Sequence, residues 1–353
     1  MQNHLLLGTR KGLLVYARDA AGWRLTGQHF LGVQVSAVLA YEGRWWVALR
    51  DGHFGPKLHV SEDAGAHWHP LAVPALPTDP DAKPLDQMWT LAIGGDGTLW
   101  AGGIPPGLFR SNDGGTSWQL IDALWQRPER ANWFGGGFDD AGIHSVLVDP
   151  RNPQRVVIGI SCGGVWQTHD GGASWDKAAA GMRAAYMPPE SAEDPDIQDP
   201  HRLAQCAARP DVYWCQHHNG QLVSDNNLQH WRELHPPVPL SDFGFVVVAH
   251  PHDPATAWFV PAEVDQRRVP LAGDFYVLRT RDGGQTFDKL QQGLPTAPAF
   301  HLVYRHGMAV DAQGTLLAMA STTGSLWLGD QGGERWQRLS AELPPVYCLS
   351  FAD

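Results

Sequence analysis

Short apolar segments follow one another along the chain in a repeated order. One unit contains Trp89-Thr-Leu-Ala-Ile-Gly, then Thr98-Leu-Trp-Ala-Gly, then Gly107-Leu-Phe-Arg-Ser, and finally Trp118-Gln-Leu-Ile. Each segment is short, rich in β-forming residues and bounded by turn residues, so we predict four β-strands for the unit. The short turns between consecutive segments predict antiparallel pairing.

A sequence motif marks the turn between the third and fourth strands. It places Ser or Thr, Asp, Gly and an aromatic residue at relative positions 1, 3, 5 and 8. The hydroxyl and the carboxylate can accept hydrogen bonds from backbone N–H groups, the Gly can adopt a positive φ, and the aromatic ring can pack back onto the strands. We therefore assign these residues a structural role. The four complete copies are Ser61, Asp63, Gly65 and Trp68; Ser111, Asp113, Gly115 and Trp118; Thr168, Asp170, Gly172 and Trp175; and Thr280, Asp282, Gly284 and Phe287.

Three weaker copies extend the repeat to seven. Ser224 and Asn226 precede Trp231, and Trp336 and Trp23 close the other two copies. The seven aromatic anchors lie 45 to 57 residues apart, close to the ~40–50 residues of a four-stranded propeller blade. The sequence therefore predicts an all-β fold, a seven-bladed β-propeller of four-stranded antiparallel blades that forms a single domain over residues 1–353. The predicted innermost strands are 35–39, 89–93, 144–148, 203–207, 245–249, 308–311 and 347–351.

The two chain ends are predicted to share one closing blade. Residues 346–353 supply an innermost strand, whereas residues 1–27 supply three strands that have no innermost one. Pairing them closes the ring and removes the free sheet edges that otherwise promote aggregation. The other blades are predicted near residues 33–72, 88–122, 143–178, 201–235, 243–291 and 300–340.

The repeated Ser/Thr-x-Asp-x-Gly-x-x-Trp motif resembles the Asp-box, or bacterial neuraminidase repeat. Proteins with this repeat include sialidases, xyloglucan-active glycosidases, sortilin-type receptors and photosystem II assembly factors. The resemblance implies that the boxes are structural and lie on the face opposite the functional site. Sialidases carry an Arg-Ile-Pro motif that this chain lacks, and its nearest early arginine is Arg10, in Gly8-Thr-Arg-Lys-Gly12. Seven blades agree better with the xyloglucanase-like and assembly-factor branches than with six-bladed sialidases.

The amino-acid composition excludes some classes of binding partner. The chain carries 26 Lys and Arg against 37 Asp and Glu, a net charge of −11, and so lacks the basic surface that nucleic acid or an anionic membrane requires. No apolar run approaches the ~18–20 residues of a membrane-spanning helix. The opening residues Met1-Gln-Asn-His-Leu-Leu-Leu do not have the pattern of a signal peptide. We expect a cytoplasmic monomer. The four cysteines form no CxxC pair, so we expect reduced, mostly buried thiols.

Candidate functional residues are expected where the innermost strands begin, at the end of the channel opposite the boxes. His144 and His201 open neighbouring innermost strands and His218 lies in an adjacent turn, so the three imidazoles are candidate ligands for a divalent metal. Three long loops reach the same end, and long loops in compact domains often bind ligands. These loops span residues 70–88, 119–143 and 176–200. Further candidate ligand-binding residues are His53, Trp89, His217, Asn219, Arg305 and His306.

Acidic residues near the same end suggest acid–base chemistry. Glycoside hydrolysis normally uses two carboxylates across a cleft, and the candidate catalytic residues are Glu263, Asp51 and Arg10. The acidic segment 190–199 lacks the spacing of a calcium-binding loop, so we expect a solvated loop there. Gly159-Ile-Ser-Cys-Gly matches the GxSxG string but lies in a predicted β-turn, so it does not predict a nucleophilic serine.

These residues support three hypotheses. The first is binding of a small polar ligand or a divalent metal in a His-rich pocket at the top of the central channel. The second is a protein-binding or assembly scaffold. The third is a glycoside hydrolase of the sialidase or glucanase type, acting on carbohydrate. An enzyme activity is therefore expected to be hydrolytic, by a glycosidase-like or metal-assisted route.

Overall fold

The computed structural model describes residues 3–78 and 83–353. Residues 79–82 of the predicted loop 70–88, and the first two residues of the predicted closing blade, lie outside the described residues. Within the described part, the chain forms seven sheets of four antiparallel strands. The predicted seven-bladed β-propeller is confirmed.

Each blade runs in chain order from the channel outwards, except that the closing blade takes its innermost strand from the C-terminal end. Blade 1 contains Gln34–Tyr41, Arg44–Asp51, Gly55–Ser61 and His69–Leu71; blade 2, Gln87–Ile93, Leu99–Ile104, Leu108–Ser111 and Gln119–Leu120; blade 3, Ile143–Asp149, Asn152–Ile160, Gly164–Thr168 and Asp176–Lys177; blade 4, Pro200–Gln205, Tyr213–His217, Gly220–Ser224 and Arg232–Leu234; blade 5, Gly244–Ala249, Ala257–Pro261, Val277–Thr280 and Asp288–Leu290; blade 6, Met308–Val310, Leu317–Ala320, Leu326–Asp330 and Arg335–Ser340; and the closing blade, Val346–Ala352, His4–Thr9, Gly12–Asp19 and Gly22–His29.

Helical structure in the described residues is confined to short connections. A four-residue α-helix spans Asp122–Trp125, and 3₁₀ turns span Gly52–Phe54, Pro128–Asn132 and Leu271–Gly273. None of these helices is long and apolar enough to cross a membrane. Apart from these turns, the described fold is all-β.

The innermost strands line the central channel. Each contacts the innermost strands of the two neighbouring blades, and Val346–Ala352 lies between Met308–Val310 and Gln34–Tyr41. Val346–Ala352 pairs antiparallel with His4–Thr9, which places Leu349 opposite Leu7. The two ends of the chain therefore close the ring together.

Hydrophobic side chains pack mainly between adjacent blades. Second strands carry tryptophans that are almost completely buried, including Trp45, Trp100 and Trp258. Trp258 of blade 5 packs in one cluster with Leu317 and Trp327 of blade 6. Many of the sixteen tryptophans are therefore core residues that hold neighbouring blades together.

The Asp-box residues form hydrogen bonds within their own turns. In blade 2, Ser111 Oγ accepts a hydrogen bond from the Gly115 N–H at 2.8 Å and donates one to Asp113 Oδ1 at 2.7 Å. Gly115 has a φ of 101°, a conformation that favours glycine. The other three complete boxes have the same bonds. In the degraded box of blade 4, Ser224 Oγ still donates to Asn226 Oδ1, at 3.0 Å.

Several box turns also accept a hydrogen bond from a side chain of the preceding blade. Trp46 Nε1 of blade 1 donates to the Gly114 carbonyl in the box of blade 2 at 3.0 Å. Arg110 Nη1 of blade 2 donates to the Gly171 carbonyl in the box of blade 3, also at 3.0 Å. Two further pairs of this kind are Arg232 with Gly283 and Trp258 with Gly332. The boxes therefore connect neighbouring blades as well as closing their own hairpins.

Candidate functional site

A cavity of about 250 Å³ lies where the innermost strands begin. We call this cavity the mouth pocket. The strands of each blade are antiparallel, so the turns that contain the Asp-boxes lie at the opposite end of the channel. The lining of the mouth pocket within the described residues contains three arginines, four aromatic side chains and no carboxylate. The lining residues are Gln34, Ser36, Arg50, Gln87, Trp89, Gly137, Phe138, Arg268, Tyr304, Arg305, His306 and Tyr347.

Arg305 is a buried cation in the wall of the mouth pocket. The residue is 8% exposed, and its guanidinium lies 4.9 Å from the ring centre of Trp89 and 5.5 Å from that of Phe245. Within the described residues the guanidinium has no hydrogen bond or ion pair, and Nε is buried without a partner. Burial lowers the pKa of Arg305, although the charge of Asp199 opposes this effect. A buried cation without a partner can receive an anion.

The other two arginines of the mouth pocket are paired. Arg50 Nε lies 3.0 Å from Asp86 Oδ2, and Arg268 Nη2 lies 2.6 Å from Asp265 Oδ1. These carboxylates balance their charges. The positive charge available to a ligand is therefore mainly that of Arg305.

Asp199, His201 and His218 converge beside the mouth pocket. Asp199 Oδ2 lies 3.2 Å from His201 Nε2 and 3.4 Å from His218 Nδ1. One ligand atom of each residue lies within 4.8 Å of the other two. His201 stacks on Phe245 with ring centres 4.7 Å apart, and Arg305 lies over the same ring. We call these three residues the His–Asp cluster; Phe245 separates it from the mouth pocket.

Burial and charge set the protonation of this region. Burial acts to raise the pKa of Asp199, but His201, His218 and Arg305 outweigh it and hold this pKa well below its usual range. Burial lowers the pKa of His201, and the Asp199 carboxylate opposes it in part. Burial and then the charge of Arg305 hold the pKa of His144 well below its usual range. At neutral pH, Asp199 is therefore an anion and His144 is uncharged.

His144, the third predicted metal ligand, lies outside the His–Asp cluster. Its Nδ1 lies 2.9 Å from Ser145 Oγ, and its ring meets Trp89 edge to face at 5.7 Å. Its carbonyl oxygen lies 2.7 Å from His306 Nε2. The structure thus brings two of the three predicted histidines to a common carboxylate, and His144 packs behind the wall of the mouth pocket.

The predicted ligand-binding residues divide into two groups. Trp89, Arg305 and His306 line the mouth pocket. The other three lie elsewhere: His217 Nε2 accepts a hydrogen bond from the Asp199 N–H at 3.1 Å, Asn219 Oδ1 accepts one from the Ala185 N–H at 2.9 Å, and His53 is exposed on a turn. Burial lowers the pKa of His217 to about 3. His217 and Asn219 therefore hold the loop 176–200 in place.

The three predicted catalytic residues do not meet in the mouth pocket. Glu263 Oε1 pairs with Arg267 Nη2 at 2.7 Å. Asp51 ends the second strand of blade 1, and Arg10 is exposed, with its N–H bonded to the Pro345 carbonyl at 2.9 Å. None of the three lines the pocket.

Sequence reasoning missed Asp199. The expectation of a solvated loop at 190–199 is wrong for Asp196 and Asp199, which are 6% and 2% exposed. The available signal was position, because Asp199 immediately precedes the innermost strand that begins Pro200-His201. Arg268 carried no such signal, since its position over the Phe245 ring, which Arg305 also contacts, depends on how blade 5 packs against the next blade. All four cysteines are buried and free, as expected.

The chain has distant relatives among characterised proteins. No family model matches the sequence. A probable oligoxyloglucan-reducing end-specific xyloglucanase from Neosartorya fischeri is 23% identical over 273 residues, which cover 70% of this chain and 31% of that protein. An oligoxyloglucan-reducing end-specific xyloglucanase from Emericella nidulans is 35% identical over 79 residues, 22% of this chain and 9% of that protein. The chain thus spans less than a third of the length of these curated relatives.

Solved structures share the fold. A GH74 xyloglucanase from Xanthomonas campestris matches with a TM-score of 0.63 and 18% identity, covering 97% of this chain and 53% of that one. The structure of YCF48 bound to D1 peptide matches with a TM-score of 0.56 and 15% identity, covering 94% and 88%. At these identities the likeness shows the fold alone. The chain is thus a seven-bladed β-propeller that shares its fold with GH74 xyloglucanases and with YCF48.

Proposed function

We propose that the chain binds a small carboxylate-bearing molecule in the mouth pocket and that Arg305 receives the carboxylate. The observation that carries this proposal is the burial of Arg305 without a hydrogen bond or ion pair among the described residues. A buried guanidinium without a hydrogen bond or ion pair is costly even beside aromatic rings, and an anionic ligand reduces that cost. The planar guanidinium suits a carboxylate, because it can donate two parallel hydrogen bonds.

The rest of the wall favours a hydroxylated ring. Aromatic rings of Trp89, Tyr304 and Tyr347 offer flat apolar surface, and the side chains of Gln34 and Gln87 offer donors and acceptors. A cavity of about 250 Å³ is small for a ligand site, so it suits one small ring better than an oligosaccharide. The curated relatives are xyloglucanases, whose names specify a carbohydrate substrate. We therefore propose sugar acids as the ligand class.

Binding is favoured over glycoside hydrolysis by the chemistry of the pocket. Hydrolysis of this type normally uses two carboxylates, and the described lining contains none. A protein-docking role is the second candidate, because the neighbouring YCF48 structure contains a bound peptide. A peptide with a free C-terminus presents the same carboxylate group to Arg305.

Isothermal titration calorimetry on the untagged protein tests the proposal. D-Glucuronate and D-galacturonate should bind, whereas D-glucose and D-galactose should bind more weakly. A hydrogen bond to a charged group contributes about 1.5–3 kcal/mol, so Arg305→Gln should weaken acid binding by roughly 10- to 150-fold. The exposed Arg267 lies outside the pocket lining, and Arg267→Gln is the matched control.

Four outcomes would oppose the proposal. Equal binding of acid and neutral sugars, or acid binding that Arg305→Gln leaves unchanged, contradicts the role of Arg305. Binding of a peptide carboxylate but not of its amide, with no sugar-acid binding, favours the docking role instead. Hydrolysis of xyloglucan oligosaccharides would replace binding with catalysis.

A further inference from the structure

The His–Asp cluster has the donor set of a transition-metal site. We infer that Asp199, His201 and His218 together bind one divalent transition-metal ion, with zinc(II) as the reference ion. Two imidazoles and a carboxylate are ligands that zinc and its neighbours accept in proteins. This inference does not depend on the sugar-acid proposal, because the donors are separate from the residues that line the mouth pocket.

The spacing of the donor atoms suits one ion. Tetrahedral zinc with bonds of about 2.0–2.2 Å places its ligand atoms roughly 3.3–3.6 Å apart. Asp199 Oδ2 lies 3.2 Å from His201 Nε2 and 3.4 Å from His218 Nδ1. The two histidine nitrogens also lie within 4.8 Å of each other. Three protein ligands leave a fourth position for water or another ligand.

The hydrogen bonding of His201 fixes which of its two ring nitrogens faces Asp199. His201 Nδ1 lies 2.6 Å from the Gly244 carbonyl oxygen. This oxygen can only accept, so Nδ1 carries a proton, and Nε2 is the nitrogen that faces Asp199 Oδ2. A positive charge between Nε2 and Oδ2, either a metal ion or a proton on Nε2, accounts for their separation of 3.2 Å. A histidine that donates to a backbone carbonyl and ligates through its other nitrogen is a common arrangement at metal sites.

Neighbouring groups orient the Asp199 carboxylate for metal binding. Its Oδ1 accepts a hydrogen bond from the Cys162 N–H at 3.1 Å, which orients the carboxylate and leaves Oδ2 facing the two imidazoles. A Cβ atom at Gly136 would lie 3.2 Å from Asp199 Oδ2, so a larger residue would crowd the carboxylate. The His218 side chain is 24% exposed, which gives an ion access from solvent.

Metal analysis of the untagged full-length protein tests the inference. The protein is treated with a chelator, dialysed against zinc(II) or cobalt(II), and analysed by elemental mass spectrometry and visible absorption. We expect about one ion per chain and an intense cobalt spectrum of tetrahedral type. His218→Gln should weaken zinc binding at least about tenfold, and Asp199→Asn should do the same. The exposed His53→Gln is the matched control.

The possible results distinguish a bound metal ion from a proton that lies between His201 and Asp199. Stoichiometry far below one ion per chain, or equal zinc affinity in His218→Gln and His53→Gln, would overturn the inference and leave a charged His201–Asp199 pair as the explanation. If the buried variants fail to fold, His218→Gln remains informative because this side chain is partly exposed. Zinc should also raise the thermal midpoint of the wild-type protein. Loss of zinc binding in His218→Gln with retained sugar-acid binding by calorimetry identifies two independent sites.

Discussion

The carboxylates of the Asp-boxes are held by hydrogen bonds that favour their ionised form. Asp113 accepts from the Ser117 hydroxyl and N–H and from the Ser111 hydroxyl, and these bonds lower its pKa to about 2. The equivalent bonds of Asp63 and Asp282 also lower their pKa values to about 2. Because every partner lies within the same turn, the role of these residues follows from local sequence.

We predict that removing box carboxylates reduces the loss of stability in acid. The pKa of Asp113 and Asp282 is about 2 in the folded protein, below the ordinary 3.8, so the unfolded chain takes up protons first as the pH falls. Their stabilisation is complete above about pH 4 and is lost as the pH falls towards about 2. The double variant Asp113→Asn, Asp282→Asn should therefore lose less unfolding free energy than wild type over this range, measured by urea unfolding.

Asparagine fits the box, because Asn226 already accepts the same hydrogen bonds in blade 4. Asp225→Asn removes a carboxylate that no box hydrogen bond uses, and it controls for the change in net charge. Identical pH slopes for the double variant and wild type would show that the box carboxylates do not drive acid unfolding.

At the scale of strands and turns, the blades are joined by hydrogen bonds that lie outside the repeated motif. Trp46 and Arg110 each donate to a box carbonyl of the next blade. A tryptophan in blade 1 and an arginine in blade 2 therefore both link their blade to the next one, although their side chains differ. The motif itself contains neither residue, so these links are apparent only when the blades are side by side.

We predict that Trp46→Phe destabilises the protein more than Trp45→Phe. Both rings are almost completely buried, so both variants lose similar apolar volume. Trp46 Nε1 donates to the Gly114 carbonyl, whereas Trp45 Nε1 has no partner within the described residues. The difference in unfolding free energy should be about 1 kcal/mol, the net contribution of one hydrogen bond. Chemical unfolding measures it, and an equal or reversed effect would contradict the proposed link.

At the scale of the whole molecule, closure of the ring brings opposite ends of the chain into contact. Gly8 pairs with Cys348 across the closing blade, and Val35 of blade 1 packs against the same point. A Cβ atom at Gly8 would contact the Cys348 sulfur and lie 2.7 Å from Val35 Cγ1. The closing blade therefore has no room for a larger residue here.

We predict that Gly8→Ala lowers the unfolding free energy by about 1–3 kcal/mol, because overpacking forces neighbouring atoms apart. Gly95→Ala is the matched control, since no atom lies within 4 Å of a Cβ built there. Urea unfolding followed by tryptophan fluorescence compares the two. Equal stability of both variants would show that the closing blade relaxes without cost.

The sequence predicts several residues of the site but not the Asp199 carboxylate. Trp89, Arg305 and His306 were placed at the mouth because innermost strands begin there, and all three line the pocket. His201 was selected for the same reason. Asp199 was missed because acidic loops are usually solvated, whereas here the loop 176–200 folds inward and buries the carboxylate.

The sequence by itself determined the number of blades, the box turns and the closing blade. These features depend on alternating apolar strands and on hydrogen bonds between residues a few positions apart, which are visible in a linear pattern. Tertiary structure alone decided which polar side chains meet. Arg305 lacks a partner, and Asp199 faces two histidines, because separate blades and one inward loop pack around a shared ring, Phe245. Such contacts between distant segments depend on packing and burial, which no local pattern records.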